Sequence, residues 1–138
     1  MGNAVAYNTN LAAEFYVLSV LHRIGLDASI TLGNRKAIDI VVESRGKVLT
    51  IDVKGMAGRT NWPMDNFKSA DTPNHFVAFV SFNNKIGDPS VPPTTYIVPA
   101  KEVSKYFYHN PKGTRQVVRF GLLRDNGSKY LEAWKTLK

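Results

Sequence analysis

Two neighbouring runs of β-branched residues, joined by a short polar stretch, constrain the fold of this chain more than any other feature. The runs occupy residues 37–43 and 47–54, and a Ser-Arg-Gly sequence separates them. Valine, isoleucine and threonine favour strands, and a short connection containing glycine favours a tight reversal. A four-residue loop between Glu43 and Val48 fits both runs, and a tighter two-residue turn at Arg45 and Gly46 keeps the same register. The sequence therefore predicts a β-hairpin.

The hairpin places two acids face to face. A turn that pairs Glu43 with Val48 also sets Asp39 opposite Asp52. Directly opposed residues have Cβ atoms about 4.5–5.5 Å apart, so two carboxylates there repel each other and something must offset the repulsion. Since side chains alternate between faces, Lys54 shares the face of Asp39 and Asp52. Two carboxylates and an ammonium on one sheet face predict a cation site.

The opposite face of the hairpin is apolar, and the other elements complete an α/β pattern. Its apolar side chains are Ile38, Ile40, Val42, Leu49, Ile51 and Val53. Helices are predicted at residues 10–24 (capped by Asn8, Thr9 or Asn10 and stopped by Gly25), at 99–108 and from 128 onward; strands are predicted at 28–32, 75–82, 95–98 and 116–123. Residues 55–74 and 83–94 are irregular, with a short helix at 65–70. This order predicts an α/β domain with a mixed central sheet.

Composition limits the class of protein. With 138 residues the chain is expected to form a single domain over 1–138, and with no cysteine it has no disulfides, thiolate zinc sites or cysteine nucleophiles. We expect a cytoplasmic protein with no signal peptide, no membrane span and no membrane partner. Of the net charge of +7, residues 101–138 carry +6. This favours a polyanionic partner, although a solvated basic surface without function is an equal alternative.

Glu14 supplies a third acid for the same region. On the first helix it shares a face with Leu11, Leu18 and Leu21, so its carboxylate is expected to point inward. An unpaired buried carboxylate is costly, and it therefore requires a partner. That partner is either a bound cation or a basic side chain in an internal ion pair, for which Lys54 and Arg35 are the candidates.

A helix glutamate, an aspartate on one strand and an aspartate-x-lysine on the next resemble the PD-(D/E)XK, or restriction-endonuclease-like, nuclease superfamily. The resemblance covers residues 10–55, with Glu14, Asp39, Asp52 and Lys54 in the motif positions. Ile38 stands where the name-giving proline would be. The resemblance implies a three-layer α/β/α domain with a mixed central sheet.

The resemblance also implies a chemistry. Asp39, Asp52 and the Val53 carbonyl would hold Mg²⁺, with Mn²⁺ as an alternative, and Glu14 would extend the site toward the metal directly or through water. Lys54 would orient or deprotonate the attacking water, or stabilise charge in the transition state. The reaction would be phosphodiester hydrolysis.

Basic and aromatic residues around these strands are candidates for nucleic-acid binding. They comprise Arg35, Lys36, Arg59, Trp62, Lys68, Lys101 and Lys105, with Tyr108 and Lys112 close to the stripe formed by the last two lysines. For Trp62 the alternative is packing beneath its own loop, and for the lysine stripe it is an ordinary solvated helix face.

The resulting hypothesis is a Mg²⁺-dependent endonuclease acting on DNA, for which a homodimer would suit double-strand cutting. Two alternatives stay open. One is a non-catalytic nucleic-acid- or partner-binding domain that keeps the nuclease fold, with its acids paired to lysine and arginine. The other is a toxin-like RNase that shares the chemistry and differs only in substrate.

Overall fold

A computed structural model describes residues 8–31, 39–65, 67, 71–109 and 115–138. The helices are α1 (Thr9–Arg23), α2 (Ala100–Val103) and α3 (Phe120–Asn126). The strands are β1 (Asp27–Ile30), β2 (Ile40–Ser44), β3 (Lys47–Met56), β4 (Asn61–Pro63), β5 (His75–Ser81), β6 (Thr94–Pro99), β7 (Phe107–His109) and β8 (Gln116–Arg119). Short 3-10 turns occupy Ser104–Tyr106, Ser128–Tyr130 and Trp134–Leu137.

A five-stranded mixed sheet forms the centre of the molecule. Its strand order is β1-β2-β3-β5-β6, in which only the β3–β5 pair is parallel. The predicted α/β class with a mixed central sheet is confirmed. Among the described parts of the chain, no helix is long and apolar enough to cross a membrane.

Helix α1 covers one face of this sheet. Asn8 caps it by accepting a hydrogen bond from the Leu11 backbone N–H at 3.2 Å, and Gly25 follows it with φ +87°. The buried side of the helix packs on the apolar face of the hairpin, in a core that includes Ala13, Val17, Leu21, Ile40, Val42, Ile51 and Val53. Burying each valine or leucine side chain contributes roughly 1.5–3 kcal/mol. Leu11, predicted to face inward, is instead exposed.

A second, smaller sheet covers the other face. Strand β8 pairs with β4 on one side and β7 on the other, all antiparallel. The core beneath this layer includes Met56, Trp62, Val77, Phe79, Val98, Val118 and Leu123. The molecule is therefore three-layered, but one outer layer combines short helices with a sheet.

Three sequence predictions were wrong in the second half of the chain: the helix at 99–108, the strand at 116–123 and the terminal helix from 128. The helix expected at residues 99–108 ends early, because Phe107–His109 pairs with β8 instead. The strand expected at 116–123 stops at Arg119, and α3 begins at Phe120, where Phe120 and Leu123 become buried one helical turn apart. Strand β4 was not predicted. The helix proposed for residues 65–70 falls largely outside the described residues.

The predicted terminal helix from residue 128 is replaced by 3-10 turns. Glu132 donates its backbone N–H to the Thr95 carbonyl at 2.8 Å, and its carboxylate accepts from the Thr95 N–H at 2.7 Å. Tyr96 and Leu131 form an isolated β-bridge. These bonds to the edge of β6 use backbone groups that a continuous helix would need for itself.

Candidate functional site

The β2–β3 hairpin positions the two predicted aspartates. Glu43 pairs with Val48 and Ser44 with Lys47, so the turn consists of Arg45 and Gly46. Both turn residues have positive φ, +51° and +78°, which matches the twist of the flanking strands. The predicted register is confirmed through Ile40 and Ile51, the last ladder pair before the two aspartates.

Asp39 is fixed by hydrogen bonds from both neighbouring strands. Its backbone N–H donates to the Ile51 carbonyl at 2.9 Å, and its own carbonyl accepts from the Thr31 N–H at 2.8 Å. Its carboxylate oxygen Oδ2 accepts a 2.7 Å hydrogen bond from the Val53 N–H. Because this side chain takes the backbone donor that follows Asp52, it is held against β3 at the end of the hairpin.

Asp52 lies beside Asp39, close enough for the two carboxyl groups to act on each other. The two residues are 9% and 7% exposed, respectively. Burial, as the largest cause, and the neighbouring carboxyl group of Asp39 together raise the pKa of Asp52 to about 7, against the opposing attraction of Lys54. The predicted meeting of the two carboxylates is therefore present, and near neutral pH the pair is poised to gain or lose a proton.

Lys54 completes the cluster from the same strand. Its Nζ lies 3.4 Å from Asp52 Oδ2, and its side chain is 35% exposed. Asp52, Lys54 and Met56 alternate with Ile51, Val53 and Gly55 along β3, so the charged pair lies on the face opposite helix α1. The partly exposed ammonium marks the side from which solvent reaches the acids.

Glu14 is buried in α1, 8% exposed, as its place on the helix predicts. It is not gathered with the two aspartates: within the described residues, no three His, Asp or Glu side chains lie close enough to share a metal ion. The expected three-acid convergence is thus reduced to two acids and a lysine. The reason is that α1 packs on the apolar face of β3, whereas Asp52 points to the other face.

His75 is a neighbour that the sequence analysis did not assign to this cluster. It pairs with Thr50 across the parallel strands, and its Nδ1 lies 2.7 Å from the Thr50 hydroxyl. Its side chain is buried, and Nε2 has no hydrogen-bond partner among the described residues. Burial lowers the pKa of His75, while the charge of Asp39 acts in the opposite direction. Only the β3–β5 pairing, which is remote in sequence, could have revealed it.

The structure separates the predicted nucleic-acid-binding residues into exposed residues, residues outside the described part of the chain, and the buried Trp62. Arg59, Lys101 and Lys105 are exposed, and Lys105 forms an ion pair with Glu102. Arg35, Lys36, Lys68 and the neighbouring Lys112 lie outside the described residues.

Trp62 requires a correction. It is fully buried, packs against Phe79 at a ring-centroid distance of 5.2 Å, and donates its indole N–H to the Val80 carbonyl at 3.1 Å. Trp62 therefore attaches β4 to the central sheet, and because its side chain is fully buried it cannot contact a nucleic acid. The packing alternative considered for this residue is the one observed.

Comparisons with known proteins agree with the fold. No family profile matches the chain, and no curated protein matches it. Among solved structures, the chain is similar to a bacterial homing endonuclease, I-Ssp6803I, with a TM-score of 0.59 and 16% sequence identity, covering 98% of this chain and 92% of that one. At this identity the similarity shows that the two proteins share a fold.

Proposed function

We propose that this protein is a metal-dependent endonuclease of the PD-(D/E)XK type that hydrolyses phosphodiester bonds of DNA. The observation that carries the proposal is the Asp39–Asp52 pair with Lys54 3.4 Å from Asp52. The fold, shared with a protein named as an endonuclease, supports it. Few structural roles require two carboxylates to be held against each other beside an ammonium.

The donor set suits Mg²⁺. This ion prefers oxygen ligands and is commonly held by one or two carboxylates together with water and substrate phosphate. Asp39 and Asp52 supply the two carboxylates, and the Val53 carbonyl is the candidate backbone ligand. Mn²⁺ takes similar ligands. Glu14, on the other side of β3, is proposed to support the site at most indirectly. A bound divalent cation supplies Lewis-acid polarisation of the phosphodiester.

The protein's own side chains would perform the other steps of the reaction. Asp39, locked by the Val53 N–H, fixes the position of the site. Asp52 must lose its proton to bind a cation, which its pKa of about 7 allows near neutral pH. Lys54 orients the attacking water or stabilises negative charge on the phosphoryl group. The water oxygen bonds to phosphorus, one P–O ester bond breaks, and the leaving oxygen is protonated.

A cleavage assay tests the proposal directly. Purified protein is incubated with supercoiled plasmid, branched DNA and structured RNA, with Mg²⁺, with Mn²⁺ or with chelator. Asp52→Asn and Asp39→Asn should each reduce cleavage at least about 100-fold, in keeping with the loss of electrostatic stabilisation at the reacting group. Cleavage of RNA alone would favour the toxin-like RNase.

Glu43→Gln is the matched control. Glu43 lies on β2, on the same face as Asp39, but is exposed at the far end of the strand. It removes one carboxylate from the hairpin without touching the acid pair, so cleavage should be unchanged. If no metal-dependent cleavage occurs on any substrate, the enzymatic proposal fails.

The second candidate is a non-catalytic nucleic-acid-binding domain. It is favoured by one observation, that the described residues offer two neighbouring carboxylates rather than three. In this case Lys54 and Asp52 would form only a structural ion pair. Calorimetric titration with Mg²⁺ separates the candidates: a nuclease should bind the ion and lose binding in Asp52→Asn, whereas a structural pair should bind none.

A further inference from the structure

The small sheet has a polar outer face that is not part of the site formed by the acid pair. Trp62 and Val118 pair with each other and are fully buried against the central sheet. One position along, Asn61 pairs with Arg119, and both are exposed. Alternation along the strands thus directs Arg119 away from the core.

This face forms the floor of a cleft of about 640 Å³. We call it the arginine cleft; its lining residues are Arg59, Thr60, Asn61, Tyr108, Arg119, Phe120, Gly121 and Arg124. Three of them are arginines, and within the described residues no acid lines the cleft. Such a concentration of one sign of charge favours an anionic occupant.

Two of the arginines are available to a ligand. Arg124 is paired with Asp125, Nε to Oδ1 at 2.9 Å. Arg59 and Arg119 have no carboxylate partner in the part of the chain that the structure describes. The Arg119 guanidinium lies over the Tyr108 ring, 4.6 Å from its centroid, which restricts its motion and leaves its N–H groups for another acceptor.

The cleft is close to the acid pair. Arg59 follows Lys54 by five residues, so their Cα atoms are at most about 18 Å apart. Successive phosphates on one DNA strand advance by about 3.4 Å along the helix axis. A strand with its reacting phosphate at Lys54 therefore needs only about five further nucleotides to reach Arg59.

We infer that the arginine cleft binds the phosphate backbone of a nucleic acid, a few nucleotides from the bond that is cut. The inference rests on the proposed function in taking the same substrate. Arginine suits this role because its planar guanidinium can donate two parallel hydrogen bonds to one phosphate. Binding at the cleft is sequence-independent and anchors the substrate alongside the acid pair.

The test is equilibrium binding of a fluorescent DNA duplex in chelator, where no cleavage can occur, at several salt concentrations. Each phosphate contact contributes a factor of roughly 8 in affinity at 0.1 M salt and about 0.9 to the slope of log affinity against log salt. The double variant Arg59→Gln/Arg119→Gln should therefore bind roughly 8- to 60-fold more weakly, with a slope smaller by about 1 to 2.

The control is Arg23→Gln/Lys135→Gln. This variant also removes two positive charges, but from exposed positions on α1 and on the last 3-10 turn. Both positions lie on the side of the central sheet away from the cleft. Its affinity should change less than about twofold, since charges beyond a Debye length are screened. Equal weakening in both double variants would overturn the inference, because only bulk charge would then matter. Thermal unfolding verifies that both variants fold.

The outcomes separate this inference from the proposed function. If the wild type binds DNA through the arginines but cleaves nothing with Mg²⁺, the cleft stands and the nuclease fails. If the wild type cleaves and the cleft variant shows an unchanged KM and affinity, the nuclease stands and the cleft fails. A wild type that binds no nucleic acid overturns both.

Discussion

Burial distinguishes Asp52 from the other opposed acids of the same sheet. Asp27 and Glu43 also face each other, on β1 and β2, but both are exposed, and water screens their repulsion. Asp39 and Asp52 lack that screening. Two pairs of acids that look alike in the sequence thus differ through their surroundings alone, and the cation site is proposed for the buried pair.

The raised pKa of Asp52 predicts a pH dependence of stability. Its folded-state pKa of about 7 lies above the ordinary aspartate value of 3.8, so the folded state binds the proton more tightly than the unfolded state does. In metal-free buffer this contribution to stability is fully present below about pH 4 and is lost as the pH rises to about 7. Urea unfolding from pH 4 to 8 measures it.

Asp52→Asn should remove this dependence. The variant should be as stable as the wild type or more so at pH 8, because it cannot form a buried charge beside Asp39. Glu43→Gln, on the same face, should follow the wild-type profile. A marked loss of stability of Asp52→Asn at pH 8 would instead show that Asp52 serves as the structural partner of Lys54.

At the scale of elements, the position of α1 on β3 depends on one glycine. A Cβ added at Gly55 would lie 2.7 Å from Ala13 Cβ and 3.0 Å from the Thr9 carbonyl oxygen. The first turns of the helix therefore contact the backbone of the strand directly. Since Asp52 and Lys54 are close along the same strand, this contact also sets the position of the acid pair.

Gly55→Ala should push α1 away from the sheet. Overpacking of this kind costs typically about 1–3 kcal/mol, which denaturant unfolding detects. Gly121→Ala in α3 is the control: its Cβ would meet nothing closer than Arg124 Nη2 at 3.7 Å, and alanine favours a helix by about 1 kcal/mol. If Gly55→Ala were as stable as Gly121→Ala, the close approach of helix and strand would be refuted.

For the whole molecule, cation binding and folding should be linked. Strands β2 and β3 hold the two acids together only when the sheet is formed, so the unfolded chain has no equivalent site. A ligand that binds only the folded state stabilises it according to its concentration, by about 1.4 kcal/mol at ten times its Kd. Stabilisation of that size raises Tm by several degrees.

Thermal unfolding with and without Mg²⁺ measures this effect. The wild type and Glu43→Gln should show the same rise in Tm, and Asp52→Asn should show little or none. Repeating the measurement with Ca²⁺, a larger ion that also takes oxygen ligands, shows whether the rise in Tm depends on the size of the ion. A rise in Tm that is equal in all three proteins would place the ion somewhere other than the acid pair.

Sequence by itself determined the local parts of this structure. The turn at Arg45 and Gly46 fixes the hairpin register, and alternation along the strands then separates the acids from the apolar face. Helix α1, strand β5 and strand β6 follow from periodicity and from flanking breakers in the same way. These features depend on neighbours a few residues apart, and the chain alone contains that information.

The tertiary structure decided what depends on contacts remote in sequence. Trp62 is buried because β4 folds back over Phe79, and His75 reaches Thr50 because β3 and β5 pair in parallel. Phe107, expected in a helix, lies in a strand because its backbone pairs with β8. The packing of the layers also places Glu14 on the α1 side of β3 and the arginine cleft on the outer sheet. In each case the local conformations have similar free energies, and tertiary contacts determine which one forms.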